Sequence, residues 1–238
     1  MLRVQDVSSG YGKLQILNGI SIEARPREIT VIVGPNGSGK STLLKTISGL
    51  TNISRGSVSL DGKEMSGLSP HEIARGGIAY LPQTEGVFTQ LTVAENFRMA
   101  GYIVAKEQYE TRLSEAMVMF PQLSGYQRTK AISLSGGERQ MVAMTMALIR
   151  KPSVIMFDEP TANLSPKLAT QVLGTIAALA KGTGLTVLLV EQNARRALEI
   201  GDRSYLLVNG TVAFEGAANE LLEHKELGRL YLGLKAAE

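Results

Sequence analysis

The sequence predicts an α/β fold: a mostly parallel sheet with helices on both faces, an antiparallel β region at the start and a helical insertion in the middle. Three observations carry this. Short β-branched and apolar runs alternate with helical patterns in both outer parts of the chain, and strand–helix–strand alternation builds a parallel sheet. From about residue 92 to residue 149 the texture turns helical, with no convincing strand. A glycine-rich segment, Gly34-Pro35-Asn36-Gly37-Ser38-Gly39-Lys40-Ser41-Thr42, stands between an apolar run and a helical pattern.

Taken in order, residues 2–7 and 14–24 read as strands flanking a turn at Gly10-Tyr11-Gly12. Residues 28–33 form a strand that feeds the glycine-rich loop, and residues 41–50 the helix that leaves it. Residues 78–81 make another short strand, and strands return at 154–157, 185–190 and 205–208 with helices between them. Runs such as 186–190 have the length of buried strands, and none approaches the roughly 20 apolar residues needed to cross a bilayer. The expected organisation is one domain over residues 1–238, with a core lobe at about 1–90 and 150–238 and a helical lobe at about 91–149. Internal repeats and low-complexity linkers are absent.

Composition narrows the class. A chain of 238 residues, 44% hydrophobic, can bury a large core. Its opening residues lack the apolar run of a secretory signal. With no cysteine there is no disulfide and no thiolate metal site. The net charge of +3 comes from interspersed charges rather than a basic stripe, so no nucleic-acid partner is expected. His71 and His224 are isolated and read as surface residues, because a metal site needs several converging ligands.

The chemistry sits in three segments. The first, Gly34 to Thr42, matches G-x-x-x-x-G-K-[ST], with a strand before it and a helix after it. Glycines let backbone N–H groups turn inward around phosphates. Lys40 supplies a mobile positive charge, the Ser41 hydroxyl can ligate Mg²⁺, and Thr42 lies in a first helical turn whose free N–H groups favour an anion. In the second segment, Asp158 and Glu159 end the apolar run Val154-Ile155-Met156-Phe157, where a buried sheet delivers side chains to its carboxyl edge. Asp158 is placed to hold Mg²⁺ through water, and Glu159 to orient or deprotonate an attacking water. The third, Ser135-Gly136-Gly137, precedes the helical pattern of residues 138–149 and forms either a second anion site or a plain helix cap. Met141, Met144 and Leu148 follow at helical spacing and read as packing.

These segments, in this order, resemble the ATP-binding subunit of an ABC transporter, and the resemblance runs over nearly the whole chain. It implies a P-loop NTPase core of the RecA-like kind, ATP and Mg²⁺ as cofactors, and a head-to-tail pair of ATPase subunits. In such a pair Ser135-Gly136-Gly137 closes over the γ phosphate held by the partner's loop. It also implies membrane-spanning permease subunits, an extracytoplasmic solute-binding protein, and a peripheral position on the cytoplasmic face of the membrane. Tyr11 is similar to the aromatic that stacks on adenine, with an ordinary turn tyrosine as the alternative. Gln83 is similar to the glutamine that senses Mg²⁺ and water, with a polar loop residue as the alternative. Gln192 falls where most of the family carries a histidine at the γ phosphate. The segment from Gly86 to Val93 matches the surface that grips a permease helix, although Val87, Phe88 and Leu91 can also pack under the helical lobe.

Two departures from the general pattern refine the resemblance. Val190-Glu191-Gln192-Asn193 and Ala162-Asn163-Leu164-Ser165-Pro166 are similar to the branched-chain amino-acid importer ATPases, as are Glu215-Gly216 and Tyr231-Leu232-Gly233. Serine at 165 replaces the aspartate of the common inter-subunit loop, so the usual cross-dimer contact either is missing or falls to the Ser165 hydroxyl. Urea and short-amide importers are close relatives of that subfamily. A soluble ATP-driven clamp is disfavoured for want of coiled-coil arms, zinc cysteines or a second ATPase half. A silent dimerisation subunit rests on Gln192 alone and is opposed by Lys40, Asp158 and Glu159. A small-molecule kinase or GTPase has no use for Ser135-Gly136-Gly137.

Overall fold

A computed structural model describes residues 1–84 and 86–231. Strands β1 (Leu2–Tyr11), β2 (Leu14–Ala24), β4 (Asn52–Leu60) and β5 (Lys63–Glu64) form an antiparallel sheet in the order β2-β1-β4-β5. Strands β3 (Ile29–Val33), β6 (Ile78–Leu81), β7 (Val154–Asp158), β8 (Thr186–Val190), β9 (Arg203–Val208) and β10 (Thr211–Ala217) form a second sheet in the order β10-β9-β3-β8-β7-β6. All its pairings are parallel except β10 with β9.

Alternate residues of the central strands face two different cores, as the period of two requires. Val31, Ile155, Phe157, Val187, Leu189 and Leu206 face a core shared with the helices that follow β6 and β7. Ile32, Val154, Met156, Leu188, Val190 and Leu207 face a core shared with the antiparallel sheet and α1 (Lys40–Ile47). Strands buried on both faces read as continuous apolar runs, which is why the sequence exposes them clearly. Each such side chain contributes about 1.5–3 kcal/mol on full burial.

Between β6 and β7 the chain forms α3 (Val93–Ala100), α4 (Lys106–Met119) and α5 (Gly136–Ile149), linked by short 3-10 turns. Thr92 and Ser135 start α3 and α5 through reciprocal capping boxes with Glu95 and Glu138, and Ser69 with Glu72 starts α2 (Pro70–Arg75) in the same way. After β7 come α6 (Pro166–Thr183), α7 (Ala194–Ile200), α8 (Ala218–Glu223) and α9 (Lys225–Tyr231). Among the described residues no helix is long and apolar enough to cross a membrane.

The structure departs from the expectation in several places. β1 continues through Tyr11, so the turn shrinks to Gly12-Lys13. Strands β4, β5 and β10 and helix α2 are additional. β4 is mostly polar and carries Gly56 at its centre, which reads locally as a break. Gly56 has φ +82°, and a Cβ there would lie 2.3 Å from the carbonyl oxygens of Gln5 and Asp6. The glycine therefore permits a bulged register against β1. Tyr231 ends α9, while Leu232 and Gly233 lie outside the described residues.

Candidate nucleotide site at the carboxyl edge of the sheet

β3 delivers the chain to Gly34, where a Cβ would lie 2.1 Å from the Leu207 carbonyl oxygen of β9; only glycine fits this close approach. The loop is closed by the Ser38 N–H donating to the Pro35 carbonyl at 3.2 Å and tied to β9–β10 by the Gly210 N–H donating to the Ser38 carbonyl at 3.1 Å. Lys40 opens α1 and is buried, its Nζ donating to the Gly34 and Pro35 carbonyls at 2.9 Å each. Burial pushes its pKa down, and Glu159 and Asp158 pull it back up. Ser38 Oγ is buried with no hydrogen-bond partner, an orphaned polar atom inside the loop that suits a ligand of hydrogen-bonding character.

At the end of β7, Asp158 is buried and accepts from Ser41 Oγ on Oδ1 at 2.8 Å and from the Tyr80 hydroxyl on Oδ2 at 2.9 Å. A hydroxyl beside a carboxylate is an all-oxygen donor pair of the kind a hard divalent cation with retained waters takes. Glu159 follows at φ +49°, its N–H donating to the Val190 carbonyl at 2.9 Å. That left-handed backbone turns Glu159 away from the strand and toward the loop. Gln83, exposed just after β6, donates from Nε2 to Glu159 Oε2 at 3.3 Å.

A cavity of about 450 Å³ brings the loop together with Glu159 and Gln192, while Asp158 and Gln83 stand outside its lining. Asn36, Gly37, Gly39, Lys40, Ser41 and Thr42 line it with Glu159, Gln192 and Ile16. Ile16 is the residue that β2 sends to this cavity; Tyr11 stands half-exposed at the end of the hairpin, opposite Leu14. Ser135 caps α5, its Oγ accepting the Glu138 N–H at 3.3 Å. Gly136 lines a cavity of about 320 Å³ with Gln83, Val87, Arg139 and Leu164, and Ser135 and Gly137 line one of about 200 Å³ against α6. Neither of these two cavities is lined by a residue of the loop from Gly34 to Thr42.

The family model for the ABC transporter matches residues 17–162, a span that runs from β2 through the loop, the Ser135 segment and Asp158-Glu159. The chain belongs to the ABC transporter family. It is 52% identical over 234 residues to a protein of Archaeoglobus fulgidus named probable branched-chain amino acid transport ATP-binding protein LivF, covering 98% of this chain and 99% of that one. An ATP-binding cassette of an ABC transporter in its ADP conformation superposes with a TM-score of 0.86 at 28% identity, covering 96% of this chain and 97% of that one. A dimeric cassette in a post-hydrolysis state with ADP and Pi gives a TM-score of 0.77 at 27% identity, covering 92% and 99%. The chain is an ABC ATP-binding subunit, an ATPase of the transport-coupled kind.

The tertiary structure of this ABC subunit gives three residues contacts that the motifs do not predict. Tyr80 reaches Asp158 from the neighbouring strand. Glu191 is buried at the end of β8 and accepts the Thr161 N–H at 3.0 Å. Asn96 is buried in α3, accepts the Phe88 N–H at 2.7 Å and donates to the Phe88 and Thr92 carbonyls at 3.0 and 2.9 Å. It thereby holds the segment before α3 while Phe88 itself stays half-exposed. Glu191 stood in the segment Val190-Glu191-Gln192-Asn193, whereas no local pattern set Asn96 apart. Ser165 caps α6, accepting the Leu168 N–H at 3.5 Å. Met144 is buried and Met141 and Leu148 pack against the same core.

Proposed function

We propose that this ABC subunit is the motor of an importer whose cargo is a branched-chain amino acid. The observation that carries the motor reading is the cavity that unites the phosphate loop with Glu159 and Gln192. The cargo reading rests on the name of the relative from Archaeoglobus fulgidus and on Val190-Glu191-Gln192-Asn193.

ATP lies with its phosphates in residues 34–42, where Lys40 leaves its loop carbonyls for the β and γ phosphates. Adenine stacks on Tyr11. Ser41 and Asp158 fit Mg²⁺, Asp158 through water, and Gln83 stands near enough to Glu159 to sense it. When bound, Mg²⁺ neutralises charge that develops on the phosphates. Glu159 orients a water in line with the γ phosphate and accepts its proton as the P–O bond to that water forms and the bond to ADP breaks. Gln192 fixes the water or a γ oxygen through its amide.

One chain supplies the loop and Glu159 but holds Ser135-Gly136-Gly137 in other cavities. This supports a head-to-tail dimer in which each segment closes over the partner's ATP, and the dimeric relative with ADP and Pi is a precedent. Within the dimer the two lobes act on a permease pair from the cytoplasmic face, and an extracytoplasmic binding protein supplies the cargo.

The decisive experiment is Glu159→Gln in the assembled transporter. ATP binding survives and turnover collapses, whereas Lys40→Ala weakens nucleotide binding itself. Hydrolysis by Glu159→Gln at the parental rate would remove Glu159 from the mechanism. For the cargo, uptake of labelled leucine is measured against urea and acetamide, and preferential uptake of urea or acetamide would overturn the amino-acid reading.

A further inference from the structure

The last pair in the β7–β8 ladder is Asp158 with Val190. Beyond it the strands have ended, yet the two chains stay fastened. Glu159 donates its N–H to the Val190 carbonyl at 2.9 Å, and Thr161 donates its N–H to Glu191 Oε1 at 3.0 Å. The Glu191 carboxylate accepts an N–H beyond the last backbone pair, so the ladder is extended by one rung made by a side chain. That rung binds the turn after Glu159 to the residue immediately before Gln192.

The turn has a second end. Ala162 donates back to the Glu159 carbonyl at 3.0 Å, Leu164 donates to the Thr161 carbonyl at 3.2 Å, and Leu164 Cδ2 sits 2.7 Å from where a Cβ on Gly136 would stand. A displacement of Thr161 is therefore passed to Glu159 on one side and to Gly136 on the other. Glu191 is 2% exposed. Burial pushes its carboxyl up, against hydrogen bonds from Thr161 and the Gln192 backbone that favour the charged form. A buried carboxylate is costly without such partners, so the contact with Thr161 is a condition of its being there.

We propose that Glu191 is a positioning residue for hydrolysis: its side chain locks Glu159, Gln192 and the loop against Gly136 into one piece. This rests on the reading of Glu159 as the base. What matters is an acceptor oxygen at the reach of a glutamate, not the charge.

The test is steady-state hydrolysis by the assembled transporter carrying Glu191→Ala, Glu191→Asp or Glu191→Gln, beside Glu159→Gln. Glu191→Ala and Glu191→Asp each lower kcat by about tenfold or more while KM for ATP moves by less than about threefold; Glu191→Gln stays within about threefold of the parent, because its amide oxygen accepts the same N–H. Parental kcat in Glu191→Asp overturns the proposal, even should Glu191→Ala fail to fold. So does Glu191→Gln as slow as Glu191→Asp, which would make the charge the essential property. Normal turnover in Glu159→Gln would remove the base reading instead, a result distinct from either.

Discussion

Tyr80 donates its hydroxyl proton to Asp158 Oδ2 at 2.9 Å, while Ser41 donates to the other oxygen at 2.8 Å. Burial is the main reason the Tyr80 phenol is held well above its usual range, so it remains a donor at every physiological pH. Asp158 thus has one oxygen tied to the sheet and one shared with α1. In Tyr80→Phe the first oxygen loses its partner inside the protein. The expected cost is about 1–3 kcal/mol of stability, read by denaturant unfolding. The Mg²⁺ concentration for half-maximal hydrolysis rises too, because Asp158 is no longer held square to Ser41. Unchanged values of both would show that the hydroxyl does nothing for Asp158.

Gln192 lines the same cavity as Lys40 and Glu159. Its amide can donate and accept but cannot titrate, and a glutamine suffices to orient water in other phosphoryl-transfer sites. The wild-type chain therefore hydrolyses ATP above the Glu159→Gln background. Gln192→Ala slows turnover by about tenfold or more, equal to about 1.4 kcal/mol or more of transition-state stabilisation. Gln192→His is tolerated. Steady-state hydrolysis decides it: no activity above background means a silent dimerisation subunit, and a normal Gln192→Ala removes only this side chain from the mechanism.

Phe88 is 50% exposed although its backbone is bonded to the buried Asn96. Phe88→Asp is expected to abolish co-purification with the permease and transport, while ATP binding and the melting temperature of the isolated subunit stay unchanged. Unfolding of the isolated variant would make Phe88 a packing residue. Asn96→Ala behaves differently: it takes the acceptor from the Phe88 N–H and one of two donors from each of the Phe88 and Thr92 carbonyls, and lowers the melting temperature.

Acid and neutral pH act on opposite carboxyls. Glu72, Glu95 and Glu138 are held below their usual range, mainly by capping hydrogen bonds from Ser69, Thr92 and Ser135. Such a group binds its proton more weakly in the folded chain, so its contribution is present above the unfolded value of about 4.5 and is lost as pH falls below it. Glu95→Gln is expected to flatten that acid limb. Glu191 has the reverse sign. Its carboxyl is raised by burial, so its contribution is present below the unfolded value and lost as pH rises through the folded one. Glu191→Gln is therefore expected to melt no lower than the parent at pH 7. Calorimetry from acid to neutral pH reads both effects, and a lower melting temperature for Glu191→Gln at pH 7 would contradict the second.

The sequence by itself determined the parts whose physics is local. Strands β3, β7 and β8 are buried on both faces, so unbroken apolar runs announce them. The loop from Gly34 to Thr42 and the start of α5 at Ser135 are legible because turns and caps act over a few neighbouring residues. β4 and β10 were not legible: one bulges at a glycine between polar residues, and the other is an edge strand whose inward residues are only half-buried, so its alternation carries a weak apolar signal. Only the tertiary structure decided which side chains meet at the sheet's carboxyl edge. Tyr80 and Asp158 are 78 positions apart, Ser41 and Asp158 117, and Thr161 and Glu191 30. Those contacts follow from the strand order β3-β8-β7-β6 and its parallel register, which long-range packing sets and no local pattern encodes.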